Sequence, residues 1–106
     1  VYQAGTLSGN PVATACGLAT LREIEKPGFF AALGSRTQQL VGGLVEAAET
    51  AGLPFCGDSE GGMFGFFFAS RLPQNYGEVM AGDKGRFDRF FHAMLGRGVS
   101  LAPALY

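Results

Sequence analysis

The run Leu53-Pro54-Phe55-Cys56-Gly57-Asp58-Ser59-Glu60-Gly61-Gly62-Met63-Phe64-Gly65-Phe66-Phe67-Phe68-Ala69 decides the fold class. Leu53 to Cys56 reads as a short strand, Gly57 to Gly62 as a turn, and Met63 to Ala69 as a second strand. Alternation along the second strand puts Phe64, Phe66 and Phe68 on one face and Met63 and Phe67, around Gly65, on the other. Both faces are apolar. One is expected to cover helices, and the other needs a second layer that only the last helix is left to supply.

Two helices are expected on the N-terminal side. Asn10-Pro11 starts the first, near 11 to 25, because Asn accepts hydrogen bonds from free first-turn amides and Pro has no amide to leave unpaired. Ala13, Ala15, Gly17 and Ala19 keep its surface low, so another helix can approach closely, and Lys26-Pro27-Gly28 ends it. The second helix, roughly 28 to 51, repeats Phe30, Leu33, Thr37, Leu40, Leu44 and Ala48 at spacings of three and four, with Arg36, Gln39, Glu46 and Glu49 mostly elsewhere. Gly42-Gly43 weakens its middle by about 1 kcal/mol per Gly relative to Ala. Gly52 and Pro54 close it.

On the C-terminal side, Arg71 to Gly82 is loop-like. Asp83 is suited to cap a final helix running to Arg97, with Phe87, Phe90, Phe91, Met94 and Leu95 as its stripe and Gly98 as its end. Val99 to Leu101 reads as a third strand, broken by Ala102-Pro103. The expected class is therefore α+β, with helices packed on a small, largely antiparallel three-stranded sheet. Residues 1–106 form one domain without internal repeat.

Composition agrees with a packed domain: 106 residues, 47% hydrophobic, ten Phe. Eight Lys plus Arg against nine Asp plus Glu leave a net charge of -1, which gives no electrostatic reason to expect nucleic acid or an anionic membrane as partner. The seventeen Gly are dispersed among apolar residues, as turns and close packing require. No apolar run is long enough for a membrane span, and no basic-then-apolar leader opens the chain. Cys16 and Cys56 lack metal-ligand spacing; each is expected to be a small buried hydrophobe in a reducing, cytosolic protein. Since the first residue is Val, the chain is expected to be a piece of something larger.

Little here has the pattern of catalytic machinery. His92, the only His, stands four residues after Asp88 and is expected to pair with it on a helix surface rather than activate a nucleophile. Asp58 and Glu60 fall in the glycine-rich turn and read as turn residues. Arg97 and Gly98 read as a C-terminal cation and cap. No catalytic residue and no metal site are expected. The opening Gly5-Thr6-Leu7-Ser8-Gly9-Asn10-Pro11 differs in kind: two hydroxyls and flexible amides precede a helix N-terminus, which suits either a plainly capped helix start or an anion such as phosphate.

The stretch YQAGTLSGNPVATACGLATL resembles the segment that opens the C-terminal part of the glutamate-1-semialdehyde 2,1-aminomutases. These pyridoxal-phosphate enzymes are related to the class III aminotransferases. GGMFGFFF, the helix with Phe-Asp-Arg-Phe-Phe, and Gly-Val-Ser-Leu-Ala-Pro are each similar to the same family, so the resemblance covers essentially the whole chain. It implies the C-terminal domain of a fold type I enzyme, an isomerase that makes 5-aminolevulinate for tetrapyrrole synthesis as a cytoplasmic homodimer.

By that resemblance residues 1–10 are an active-site and dimer-interface loop. Thr6, with the Gly5 amide, reaches the partner subunit's cofactor phosphate, and Tyr2 lies near the partner's substrate. The family's Schiff-base lysine lies upstream, and neither Lys26 nor Lys84 has surroundings that suit imine chemistry. The family usually has Ser where this chain has Ala104. A fragment of this kind is expected to be inactive alone and to self-associate. A non-catalytic α+β interaction module, or the same domain of another class III aminotransferase, are the alternatives.

Overall fold

In the computed structural model, which describes residues 4–104, the chain runs α1 (Pro11–Ile24), α2 (Phe29–Thr50), β1 (Cys56–Glu60), β2 (Met63–Phe67), α3 (Tyr76–Met80) and α4 (Lys84–Leu95). The strands pair antiparallel in the register Cys56↔Phe67, Gly57↔Phe66, Asp58↔Gly65, Ser59↔Phe64 and Glu60↔Met63. Only Gly61-Gly62 is left to turn, with Gly61 at φ +55°, the left-handed backbone a two-residue hairpin needs. This corrects the expected strand at 53 to 56 and turn at 57 to 62. A tight Gly-Gly loop lets pairing extend back through Asp58 and Glu60, while the Leu53 amide is taken by the Ala48 carbonyl (2.9 Å) in closing α2.

The sheet has two strands among the described residues, and the three-stranded expectation is corrected. Gly98, at φ +82°, turns the chain out of α4, and the Val99 N–H then donates to the Met94 carbonyl (3.0 Å). That donor closes the helix end, in the manner of a helix-terminating glycine turn, and is lost to strand pairing. Leu101 and Ala104 lie in coil beside Phe64, Phe66 and Phe87, lining one apolar cleft with them.

A single face of the hairpin carries the packing. A Cβ placed on Gly57 would lie 2.9 Å from Val41 Cγ1, so α2 meets the sheet here on backbone. Gly57 is registered with Phe66, so Phe66 points to the same side. Its ring lies 6.2 Å from Phe87 and 5.4 Å from Phe90, and Phe68 lies 5.6 Å from Phe90. The last helix therefore shares the Phe66 face with α2 instead of forming a separate layer behind the strands. Phe87, 4% exposed, is the best-buried side chain of this cluster.

The buried stripe of α2 is Thr37, Val41 and Ala48, with Leu44 half-buried. Phe30 and Leu40, expected in that stripe, are 64% and 48% exposed. A 22-residue helix is about 33 Å long, far wider than a two-stranded sheet, so only its central stripe finds cover. α1 buries none of its residues. Cys16 is accordingly exposed, which corrects its expected burial; Cys56 is half-buried, its thiol donating towards the Phe67 carbonyl at 3.8 Å.

Segment 71 to 82, expected to be loop, contains α3. Asn75 Oδ1 accepts from the Glu78 N–H (3.0 Å), while the Glu78 carboxylate accepts from the Gln74 N–H (3.1 Å) and pairs with Arg71 (3.1 Å). Asn75-x-x-Glu78 is a capping-box spacing. These bonds hold Glu78 below the usual carboxylate range, the Gln74 amide first and Arg71 after it.

The described chain does not close on itself. Its radius of gyration is 18.3 Å, against about 13 Å for a compact domain of this length. Its accessible surface is 8084 Å², against about 5,700 Å² for a folded monomer of this mass. Leu7, Val12, Leu18 and Leu21 are all exposed. No helix among the described residues is long and apolar enough to cross a membrane.

Candidate functional site

The opening loop is built from two consecutive hydrogen-bonded turns. The Ser8 N–H donates to the Gly5 carbonyl (3.0 Å) and the Asn10 N–H to the Leu7 carbonyl (3.1 Å). Gly9, at φ +76°, supplies the left-handed residue of the second turn. A Cβ on Gly5 would lie 2.8 Å from Ser8 Oγ, so the first turn folds the Ser8 hydroxyl over a residue without a side chain.

The helix behind the loop is closed. Asn10 Oδ1 accepts from Val12 N–H (3.0 Å) and Ala13 N–H (3.1 Å), and the Asn10 carbonyl accepts from Thr14 N–H (2.9 Å). Pro11 has no amide. All four first-turn donors of a helix normally stand open; here none does. An anion at this end is thus left with the loop itself: the Thr6 hydroxyl and the amides of Gly5, Thr6 and Leu7, none of which donates within the described residues. Residues 4 to 9 are exposed, and no acidic residue precedes Glu23 in the chain. This donor set suits a phosphate. Tyr2 lies outside the described residues.

The remaining candidates fall apart as a site. Lys26 pairs with Glu23 (2.6 Å) and Lys84 with Asp88 (2.7 Å), both as exposed ion pairs on helix surfaces. The expected Asp88–His92 pair is corrected: the Asp88 carboxylate is taken by Lys84 one turn earlier, and the exposed His92 ring packs edge-on against Phe91 at 5.3 Å. Asp58 and Glu60 lie in β1, registered with Gly65 and Met63, and Asp58 Oδ1 accepts from the adjacent Ser59 N–H (2.8 Å). Asp83 caps α4 through the Arg86 N–H (2.8 Å), and Arg97 donates to the Ala93 carbonyl (3.0 Å), as expected of a cap and a C-terminal cation.

No family model matches the chain. It is 74% identical, over all 106 residues, to the glutamate-1-semialdehyde 2,1-aminomutases of Polaromonas sp. (strain JS666) and Polaromonas naphthalenivorans, and 70% identical over 110 aligned positions to that of Leptothrix cholodnii. The chain corresponds to the C-terminal part of the glutamate-1-semialdehyde 2,1-aminomutases. It spans 24% of the length of the two Polaromonas relatives and 25% of the third. The fold of the chain is also that of a solved omega-transaminase from Sphaerobacter thermophilus, with a TM-score of 0.79 at 28% identity, covering 99% of this chain and 24% of that one.

Proposed function

We propose that this chain serves as the C-terminal part of a pyridoxal 5'-phosphate-dependent aminomutase, an isomerase converting glutamate-1-semialdehyde to 5-aminolevulinate for tetrapyrrole synthesis in a cytoplasmic homodimer. The observation that carries the reading is 74% identity across the entire chain to enzymes named for that reaction. The same part of a sibling transaminase is less well supported, since the transaminase likeness stands at 28%.

When bound, the cofactor would supply an interconverting amine and carbonyl pair able to exchange amino groups with neighbouring carbons. The residues of this chain hold and orient. Thr6 would hold the phosphate of the partner subunit's cofactor through its hydroxyl, and Gly5 would add its backbone N–H. Among the described residues neither donor is committed, and both residues are exposed in a stretch without acidic side chains. Charge-assisted bonds of this kind are the strong class. The family resemblance assigns Tyr2 to the partner subunit's substrate site. No proton-transferring role is assigned to this chain, and on this reading it is expected to be silent in isolation.

The test is Thr6→Val in a full-length chain in which this segment occupies the C-terminal position it has in the Polaromonas relatives. Losing one bond to a charged acceptor, about 1.5–3 kcal/mol, raises the cofactor dissociation constant roughly 10- to 100-fold. Unchanged retention contradicts the assignment of Thr6. The excess surface and exposed apolar side chains also favour self-association of the 106-residue chain in isolation. A monodisperse monomer in size-exclusion chromatography at high concentration contradicts that.

A further inference from the structure

We infer that Asn10 is a positioning residue for the cofactor contact: its side chain occupies the free amides of α1 and so confines the bound phosphate to the Thr6 loop, which its backbone N–H ties to the helix. The inference rests on the reading of Thr6 above and goes beyond it. A glycine-spaced loop before a helix ordinarily invites an anion onto the helix amides. Here Asn10 fills them, with Oδ1 at 3.0 Å from Val12 N and 3.1 Å from Ala13 N.

The same residue ties the loop to the rigid element. Asn10 N–H holds the Leu7 carbonyl, the Asn10 carbonyl holds Thr14 N–H, and Ser8 N–H holds the Gly5 carbonyl. Thr6 lies inside the first turn, which shares Leu7 and Ser8 with the second. Its hydroxyl is therefore located relative to α1 through Asn10, since no other hydrogen bond among the described residues links residues 4 to 9 to the rest of the chain. Two linked turns, each bringing its ends within about 7 Å, also keep Thr6 close enough to Asn10 for a charge there to be felt.

That proximity makes the place of the phosphate testable, while the contrast between capping and non-capping side chains tests the positioning. Asp and Ser cap helices about as well as Asn, and Ala does not. A carboxylate at position 10, however, repels a phosphate held by Thr6, whereas a hydroxyl does not. In the full-length chain, cofactor dissociation constants from absorbance titration and thermal midpoints of the apo protein are read for Asn10→Ser, Asn10→Asp and Asn10→Ala.

The expected result is wild-type retention for Asn10→Ser. Asn10→Asp keeps a wild-type apo midpoint while its dissociation constant rises at least about threefold, a Coulomb effect of the size expected across a hydrated surface. Asn10→Ala keeps the backbone bond to Leu7 but opens the Val12 and Ala13 amides to the phosphate, and loses both midpoint and retention. If Asn10→Asp retains cofactor like wild type, or Asn10→Ala lowers only the apo midpoint, Asn10 is a structural cap and the inference is overturned. The two failures are distinguishable: Thr6→Val without effect overturns the reading of Thr6 itself, while Thr6→Val with loss beside unaffected Asn10 variants overturns only the role of Asn10.

Discussion

Gly57→Ala tests the packing of the hairpin against α2. The new Cβ would lie 2.9 Å from Val41 Cγ1 and 3.2 Å from the Gly65 carbonyl oxygen, against ordinary carbon contacts of about 3.5–4.0 Å. Val41 is 8% exposed and cannot swing into solvent without uncovering the core, and the Gly65 oxygen belongs to the pairing strand. Overpacking of this kind costs about 1–3 kcal/mol, partly offset by the weakness of Gly within strands. A net loss of about 1–2 kcal/mol lowers the urea midpoint by about 1 M, given slopes of 1–3 kcal/mol per molar.

A double-mutant cycle identifies the source of that loss. Val41→Ala removes Cγ1 and leaves a hole that destabilises by itself, yet the added methyl of Gly57→Ala fills part of it. The pair is therefore less destabilised than the sum of the single changes, with a coupling of about 1 kcal/mol. Full rescue is not expected, because the 3.2 Å approach to the Gly65 oxygen remains. Urea denaturation followed by circular dichroism at low protein concentration reads all four variants. Gly57→Ala at or above the wild-type midpoint, or strict additivity, refutes the reasoning.

Two further outcomes follow from individual groups. Because the folded Glu78 carboxyl titrates below its ordinary value, its contribution to α3 is in full force above the usual carboxylate range and disappears as pH falls through the lowered value; protection of the Gln74 amide, which donates to that carboxylate, should drop there first in hydrogen exchange, and Glu78→Gln should abolish that pH dependence, whereas protection independent of acid contradicts the capping network. Burial pushes the Cys56 thiol pKa up, while Cys16 stands exposed, so a thiol reagent at mildly alkaline pH should label Cys16 well before Cys56 in peptide mapping; equal rates contradict the placement of α1 outside the core.

The helices with caps were the most legible part of the sequence. Asn10-Pro11 and Asp83 mark starts that α1 and α4 adopt, since a side-chain acceptor before a donor-rich end acts locally. The α+β class was legible for the same reason, from aromatic alternation around Gly65. The strand boundaries were not: whether Asp58 and Glu60 turn or pair depends on how tightly Gly61-Gly62 reverses the chain. Nor was Val99, whose β-branched character favours a strand while its amide goes to the end of α4. The exposure of Phe30, Leu40 and Cys16 escaped periodicity because a helical stripe records that a face is apolar, and is silent on whether this chain itself covers it. At the loop, Thr6 and Gly5 were singled out through the family resemblance; the Asn10 cap was expected from the sequence, and the two linked turns that carry Thr6 were visible only in three dimensions.

The central claim is that Thr6 of one subunit serves the cofactor held by the other. Hybrid dimers test it most directly: full-length subunits carrying Thr6→Val are paired with subunits lacking the Schiff-base lysine that the family carries upstream of this segment, and turnover is measured per purified hybrid. If Thr6 acts across the interface, one site in each hybrid combines an intact lysine with an intact Thr6, and half the wild-type turnover returns. If Thr6 acts within its own subunit, no site is intact, and turnover no higher than that of the parent Thr6→Val dimer contradicts the account.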